Sequence, residues 1–296
     1  STIANNARYG IYASKVNGNT QVSVSGSNIY GNGYSGLSLI APSLVNLSNN
    51  NYSTNGEYAA YVSLASTTAA SFSNNTGTEN GKNGIALTGS TGGSVQLGPT
   101  SSLPYIIPGS LWVSSGITLT VSAGVTFKLE TSSTYLHVDG TLVVAGSEES
   151  PVTFTSFKDD TAGGDTNNDG AVSAAAKGDW HDVYVSTTGR VSMSYTTLRY
   201  GGNTSSSYDA ILYLYDNASA ALDHVTVADS KYYGIQLSGN TTGRVTSLSM
   251  TNSTIANNAR YGIYASRVNG NTQVSVSGSN IYGNGSYGIY NGTSDP

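Results

Sequence analysis

A polar corner, a tight glycine and a short apolar strand recur along this chain at intervals of 23 to 28 residues, and that period governs what it can fold into. Segments such as ANNARYGIYA, YGNGYSGLSL, TENGKNGIAL and ADSKYYGIQL align on Gly10, Gly36, Ala59, Gly84, Gly234, Gly262 and Gly288. Four residues before each stand Asn6, Asn32, Asn55, Asn80, Ser230, Asn258 and Asn284. After the glycine come apolar pairs two residues apart: Ile11 with Ala13, Leu37 with Leu39, Ile85 with Leu87. That spacing is the mark of a strand with every second side chain inward. A repeat of this length holds about three short strands joined by turns, and successive repeats stack at roughly 4.8 Å. The expectation is an all-β solenoid of about 11 or 12 coils, a rod on the order of 55 Å long. Asparagine suits its corners because it tolerates the left-handed backbone and its amide can both donate to and accept from the Asn one coil away.

Composition agrees with that reading. Charged residues make up only 10%, and 36 Gly stand against 6 Pro. Long helices are disfavoured, since Gly loses too much backbone entropy and Ser, Asn and Thr compete with helical hydrogen bonds. The formal net charge is −5 with no basic cluster, so nucleic acid is not an expected partner. There is no cysteine, hence neither a disulfide framework nor a thiolate metal site. No segment approaches the roughly 20 apolar residues of a membrane span.

A second, longer period lies over the first. Ser1 to Gly33 recurs at Ser253 to Gly285 with 32 of 33 residues identical, Lys15 being replaced by Arg267, an offset of 252 residues. Packing alone does not demand such identity, because cores tolerate many substitutions of similar shape. Recent duplication explains it. Residues 1–296 are therefore expected to form one continuous solenoid in which 1–252 approximates a tandem module and 253–296 opens the next copy.

Between Thr100 and Phe157 the punctuation is Gly116, Gly124, Gly140 and Gly146, still with alternating strands and no helical period. The stretches PYIIPGSLWVSSGITLTVSAGVTFKL, LHVDGTLVVAGSEESPVTFTS, DDTAGGDTNNDG and KGDW resemble the large secreted proteins of bacteria and archaea built from right-handed parallel β-helix repeats. The resemblance implies a right-handed parallel β-helix of adhesin or cell-surface type, extracellular. The same superfamily includes polysaccharide lyases and glycoside hydrolases.

One local motif promises specific chemistry. Asp165, Asn167 and Asp169 place side-chain oxygens at positions 1, 3 and 5 of a calcium-type loop, followed by Gly170 at 6 and the Ala171 carbonyl at 7. Position 12 is Ala176, so a further ligand is expected from Asp159, Asp160, Asp179 or Asp182. The expected cofactor is a structural Ca²⁺ bracing an inserted loop, residues 158–178.

Catalytic residues are sought among Asp179, His181 and Asp182, with Arg199, Asp209, Asp223 and His224 further along. Stacking could set Asp182, Asp209 and Asp223 on one face. None of them matches the signatures expected of β-helix hydrolases or lyases, which need paired carboxylates, or a base with a cation for the sugar carboxylate. His137 and His224 show no carboxylate or His partner at a ligand spacing. The 22 tyrosines stand out beside 4 Phe and 2 Trp; Tyr12, Tyr61, Tyr264 and Tyr290 alternate with inward residues, so they point outward in a row that can stack on sugars, pack against a neighbouring rod or, the favoured reading, cover the backbone from one rung to the next. The sequence thus points to an extracellular structural or adhesive module, a stalk, sheath or filament and not an enzyme, that associates with itself or adjacent modules and contacts glycans. A polysaccharide-active lyase or hydrolase is the alternative.

Overall fold

A computed structural model describes residues 1–15, 19–100, 102–203, 210–267 and 269–292. Among these residues there is no helix: short strands wind into a coil of three faces, and every strand pairs in parallel with the strand one coil away. One face carries eleven strands, beginning with Ile11–Ser14, Leu37–Ile40 and Tyr58–Ser63 and ending with Ile263–Arg267 and Ile289–Gly292. A second face runs from Gln21–Ser25 through Thr118–Ser122 to Asn271–Ser277; the third begins as a separate four-stranded sheet, Thr2–Ala4 to Thr76–Thr78, and is carried further along by strands of the large sheet, Thr126–Leu129 to Asn280–Tyr282. The expected β-helix of about 11 turns is what forms. Pairing passes through position 252 without a break, since Ile235 pairs with Ile263 and Ile263 with Ile289.

Alternation places one set of side chains inside the coil. Leu39, Val62 and Leu87 are fully buried and in register from rung to rung, as are Leu111, Leu136, Val183, Leu212 and Ile235 further along. Aromatic rings form a shorter internal column: Phe127 stacks on Phe154 at 4.6 Å and lies 5.8 Å from Tyr105, whose hydroxyl donates to the Gly98 carbonyl. Trp180 closes the core where the inserted loop returns, its Nε1 donating to Arg199 O at 2.8 Å.

The corner asparagines form the expected ladder. Asn6 Nδ2 donates to Asn32 Oδ1 at 2.9 Å, Asn32 to Asn55 and Asn55 to Asn80 at 2.8 Å each, and Asn258 to Asn284 at 2.9 Å. Each Oδ1 also receives the backbone N–H of the preceding ladder residue. A second ladder, at another corner, joins Ser27, Asn50 and Asn75. The left-handed conformation belongs to the residue just before each ladder position and not to the ladder residue: Asn5, Thr54, Glu79, Asn49, Asn74 and Asn257 all have φ between 51° and 59°. One residue turns the chain, and the next satisfies the buried polar groups that the turn exposes. The aligned glycine is needed for space: a Cβ on Gly36 would sit 2.6 Å from the Ala59 carbonyl oxygen and 3.1 Å from Asn55 Nδ2.

Residues 158–178 leave the coil and lie against the outside of the third face. Gly163 packs on Pro104 and Thr126, and the Lys128 ammonium, buried beneath the loop, donates to Gly164 O.

Candidate functional site

The outward positions of the eleven-stranded face are aromatic along much of the rod. Trp112 pairs with His137, His137 with Tyr184, Tyr184 with Tyr213, Tyr213 with Gln236, Gln236 with Tyr264 and Tyr264 with Tyr290. Parallel in-register pairing sets such side chains one strand spacing apart, close enough for rings to meet. Trp112 and His137 stack at 3.8 Å with planes 13° apart, His137 lies 4.7 Å from Tyr184, and Tyr184 lies 5.4 Å from Tyr213. Tyr215, two residues along the same strand, stacks 6.1 Å from Tyr184.

Beside this track opens a cleft of about 420 Å³ lined by Ser133, Tyr135, His137, His181, Asp182 and Tyr184. Asp182 immediately precedes the inward Val183, so alternation turns it outward, yet it is 1% exposed and forms the floor. Its Oδ1 lies 3.1 Å from His181 Nδ1, while Oδ2 is buried with no hydrogen-bond partner. Burial pushes the Asp182 carboxyl above the usual range, opposed by the His181 contact. A second imidazole is held in the same manner: His137 Nε2 lies 2.8 Å from Asp139 Oδ1, and Ser186 Oγ donates to that oxygen. The cleft therefore presents flat rings, two carboxylate-backed imidazoles and one unsatisfied buried oxygen.

The other candidates from sequence separate. Asp223 sits on Ser219–Ala228 in the part facing away from this cleft, pairing with Ser194 and Thr251 and accepting from Thr251 Oγ1 and Asn252 Nδ2. It does not share a face with Asp182. Asp209 lies outside the described residues. Asp179 accepts from Ser156 Oγ at 2.7 Å and from Lys158 Nζ at 3.0 Å, which pins the base of the loop. His137 and His224 do have carboxylate partners, contrary to the sequence reading. Spacing in a strand hides them: Asp139 is two residues from His137 on the same side, and Asp223 Oδ2 reaches its neighbour His224 Nδ1 at 3.1 Å. Trp112, Tyr135 and Tyr184 went unnoticed in the sequence because their neighbourhood depends on register; outward alternation beside paired glycine turns was the available signal.

Of the exposed tyrosine row, Tyr12 is 61% exposed, but Tyr264 is covered by Tyr233 and Tyr261 at 4.9 and 5.8 Å and by Tyr290 at 5.8 Å. Outward tyrosines here shield one another as well as the backbone.

In the inserted loop, the carboxylates of Asp160, Asp165 and Asp169 come within 4.8 Å of one another. Asp165 accepts the N–H groups of Asp169 at 3.2 Å and Gly170 at 2.8 Å, which curls the loop around it. Asp160 Oδ1, Asn167 Oδ1 and Asp169 Oδ1 are buried without a hydrogen-bond partner. Burial and the Asp165 carboxylate push the Asp160 carboxyl up. Lys128 is the cation beneath them; desolvation lowers its pKa to about 8 despite the attraction of Asp160, Asp159 and Asp165. Three crowded carboxylates against one reluctant ammonium, with three orphaned oxygens, is a donor set that fits a hard divalent cation. Ala171 follows Gly170, whose φ of +66° makes the turn. Asp159 stands apart from the cluster. Burial opposes its charge, but hydrogen bonds from Thr155 and Thr161 and the Arg199 guanidinium, 2.6 Å away, hold its carboxyl below the usual range.

Comparison with known proteins adds two matches. Residues 89–215, which contain the cleft and the loop, match a pectate-lyase like beta helix domain. This match overturns the expectation that the chain is not an enzyme. Searches of curated proteins and of solved structures found no match. Residues 1–97 and 179–296, most of the chain, match the right handed beta helix region, and the chain belongs to that right-handed β-helix family.

Proposed function

We propose that this chain is an extracellular solenoid module that holds a polysaccharide along its aromatic face, over the cleft at Tyr135, His137, His181, Asp182 and Tyr184. The observation that carries this reading is the in-register run Trp112, His137 and Tyr184 beside that cleft, all three partly exposed. Trp112 and His137 stack face to face at 3.8 Å, and His137 and Tyr184 lie 4.7 Å apart with planes tilted by 43°, so the partly exposed rings form a stepped apolar track with polar groups at one edge. Flat rings cover the C–H faces of sugars, and the imidazole and carboxyl groups meet their hydroxyls. The pectate-lyase like match over 89–215 supports a polysaccharide ligand in general and does not fix the charge of its residues. The 252-residue duplication supports a repeated array, in which weak sites on successive modules add by avidity.

In the inserted loop, Asp160, Asp165, Asn167 and Asp169 are proposed to hold calcium, with the Ala171 carbonyl as a further donor. Its chemistry there is structural, fastening the loop to the third face. Asp159 instead serves Arg199.

Affinity electrophoresis through gels containing different polysaccharides tests the reading. Retardation in at least one gel, reduced about tenfold in affinity by Trp112→Ala and by Tyr184→Ala, is expected. Mobility unchanged in every gel, or retardation indifferent to both substitutions, contradicts it.

A further inference from the structure

We propose that the cleft takes an uncharged sugar residue, one hydroxyl of which donates to Asp182, and that it discriminates against uronates. This rests on the reading of the aromatic face as a polysaccharide surface. Two observations on the cleft lead to it.

The first is a mismatch of donors and acceptors. Asp182 lines the cleft, and its Oδ2 is buried and has no hydrogen-bond partner. A buried acceptor left without a donor is costly, so the ligand that fits best is one that brings an O–H. Every hydroxyl of a neutral hexose can donate. A uronate keeps its ring hydroxyls but replaces the primary one by a carboxylate that at neutral pH only accepts, which removes one donor and brings a second acidic group into a cleft that already holds Asp182.

The second is charge. None of the described residues lining the cleft is Lys or Arg. The imidazoles are already turned toward carboxylates, His181 to Asp182 and His137 to Asp139. Nearby basic side chains are likewise engaged, Arg199 with Asp159 and Lys158 with Asp179. A sugar carboxylate entering here would find the acid Asp182 in the lining and no guanidinium or ammonium to pair with. The flat faces of Tyr135 and Tyr184 serve a neutral ring as well as a charged one, so the polar floor decides between them.

The test uses matched pairs of hexasaccharides that differ only in charge. Galacturonate, mannuronate and glucuronate hexamers are each compared with the same hexamer after carboxyl reduction, by calorimetry at neutral pH and fixed calcium. For at least one pair the reduced hexamer should bind ten times or more tighter than its uronate parent. Asp182→Asn should weaken that neutral hexamer about fivefold to tenfold while leaving the uronate unchanged or bound more tightly. A variant that merely disturbed the fold would weaken both, and the fold of Asp182→Asn is checked by its circular dichroism. Uronates binding tighter than their reduced partners overturn the inference and leave the polysaccharide surface standing. Binding of a neutral hexamer that ignores Asp182→Asn also overturns it. No binding by any member of any pair, together with no retardation by polymers, overturns both.

Discussion

Asn55→Ala removes the centre of the asparagine ladder and should be among the most damaging single changes in the chain. Asn55 Oδ1 accepts from the Asn32 N–H at 3.3 Å and from Asn32 Nδ2 at 2.8 Å; its own Nδ2 donates to Ile29 O at 3.1 Å and Asn80 Oδ1 at 2.8 Å. Asn32 and Asn55 are each 1% exposed, so water does not replace what is lost. Truncation strands two donors on Asn32, each at about 1–3 kcal/mol, and also deprives Ile29 of a partner. The sum is about 4 kcal/mol, a large part of the net stability of an ordinary domain. Asn6 is the control. It is exposed and donates twice to Asn32 Oδ1, so Asn6→Ala strands no buried donor and leaves that acceptor its backbone N–H partner, and should cost about 1 kcal/mol or less. Urea unfolding followed by far-ultraviolet circular dichroism gives both values, with hydrogen exchange confirming that the loss is centred on the coils of Asn32 and Asn55. If Asn55→Ala costs under 1 kcal/mol, or no more than Asn6→Ala, the ladder is not what satisfies those corners and the reasoning fails.

Two further outcomes are expected. Calcium should protect the inserted loop from trypsin, which has sites at Lys158 and Lys177, and Asp165→Asn with Asp169→Asn should abolish the protection; cleavage indifferent to calcium contradicts the proposed donor set. Lys128 has a folded pKa of about 8, below the roughly 10.4 of an unfolded lysine, so the unfolded chain binds more protons in that window and its contribution to stability rises with pH from about 8 upward. The full effect is about 3 kcal/mol. Comparing wild type with Lys128→Met between pH 7.5 and 9.5 isolates it: the rise should vanish in the variant, which should also bind calcium more tightly, and parallel pH profiles would contradict the assignment.

The parts of this molecule that were legible in its sequence are those written into a single coil. The Gly and Asn register survives because the same backbone turn and the same stacked amide recur in coil after coil, so identical residue types are demanded at identical offsets. The division of labour at the corner was harder to see, since Asn5–Asn6, Asn49–Asn50 and Asn74–Asn75 use one residue type for two tasks; Thr54–Asn55 and Glu79–Asn80 separate them. The loop motif around Asp165 was visible because its spacing is local, but Asp159 and Asp160 could not be told apart: adjacent carboxylates on a turn point in different directions, one to Arg199 and one into the cluster. The cleft was the least legible feature. Trp112, His137 and Tyr184 are 25 and 47 residues apart and meet only through the register of three strands, the last reached after the inserted loop. For the same reason the proposed grouping of Asp182 with Asp223 failed, since counting coils does not say on which face a residue falls.

A crystal structure with a bound neutral hexasaccharide, chosen from the binding pairs, tests the central claim most directly. The account predicts a sugar ring lying over Tyr184 and Trp112 with one hydroxyl within hydrogen-bond distance of Asp182. A saccharide bound on either of the other two faces, or one seated in the cleft with no contact to Asp182 or the aromatic track, would contradict it.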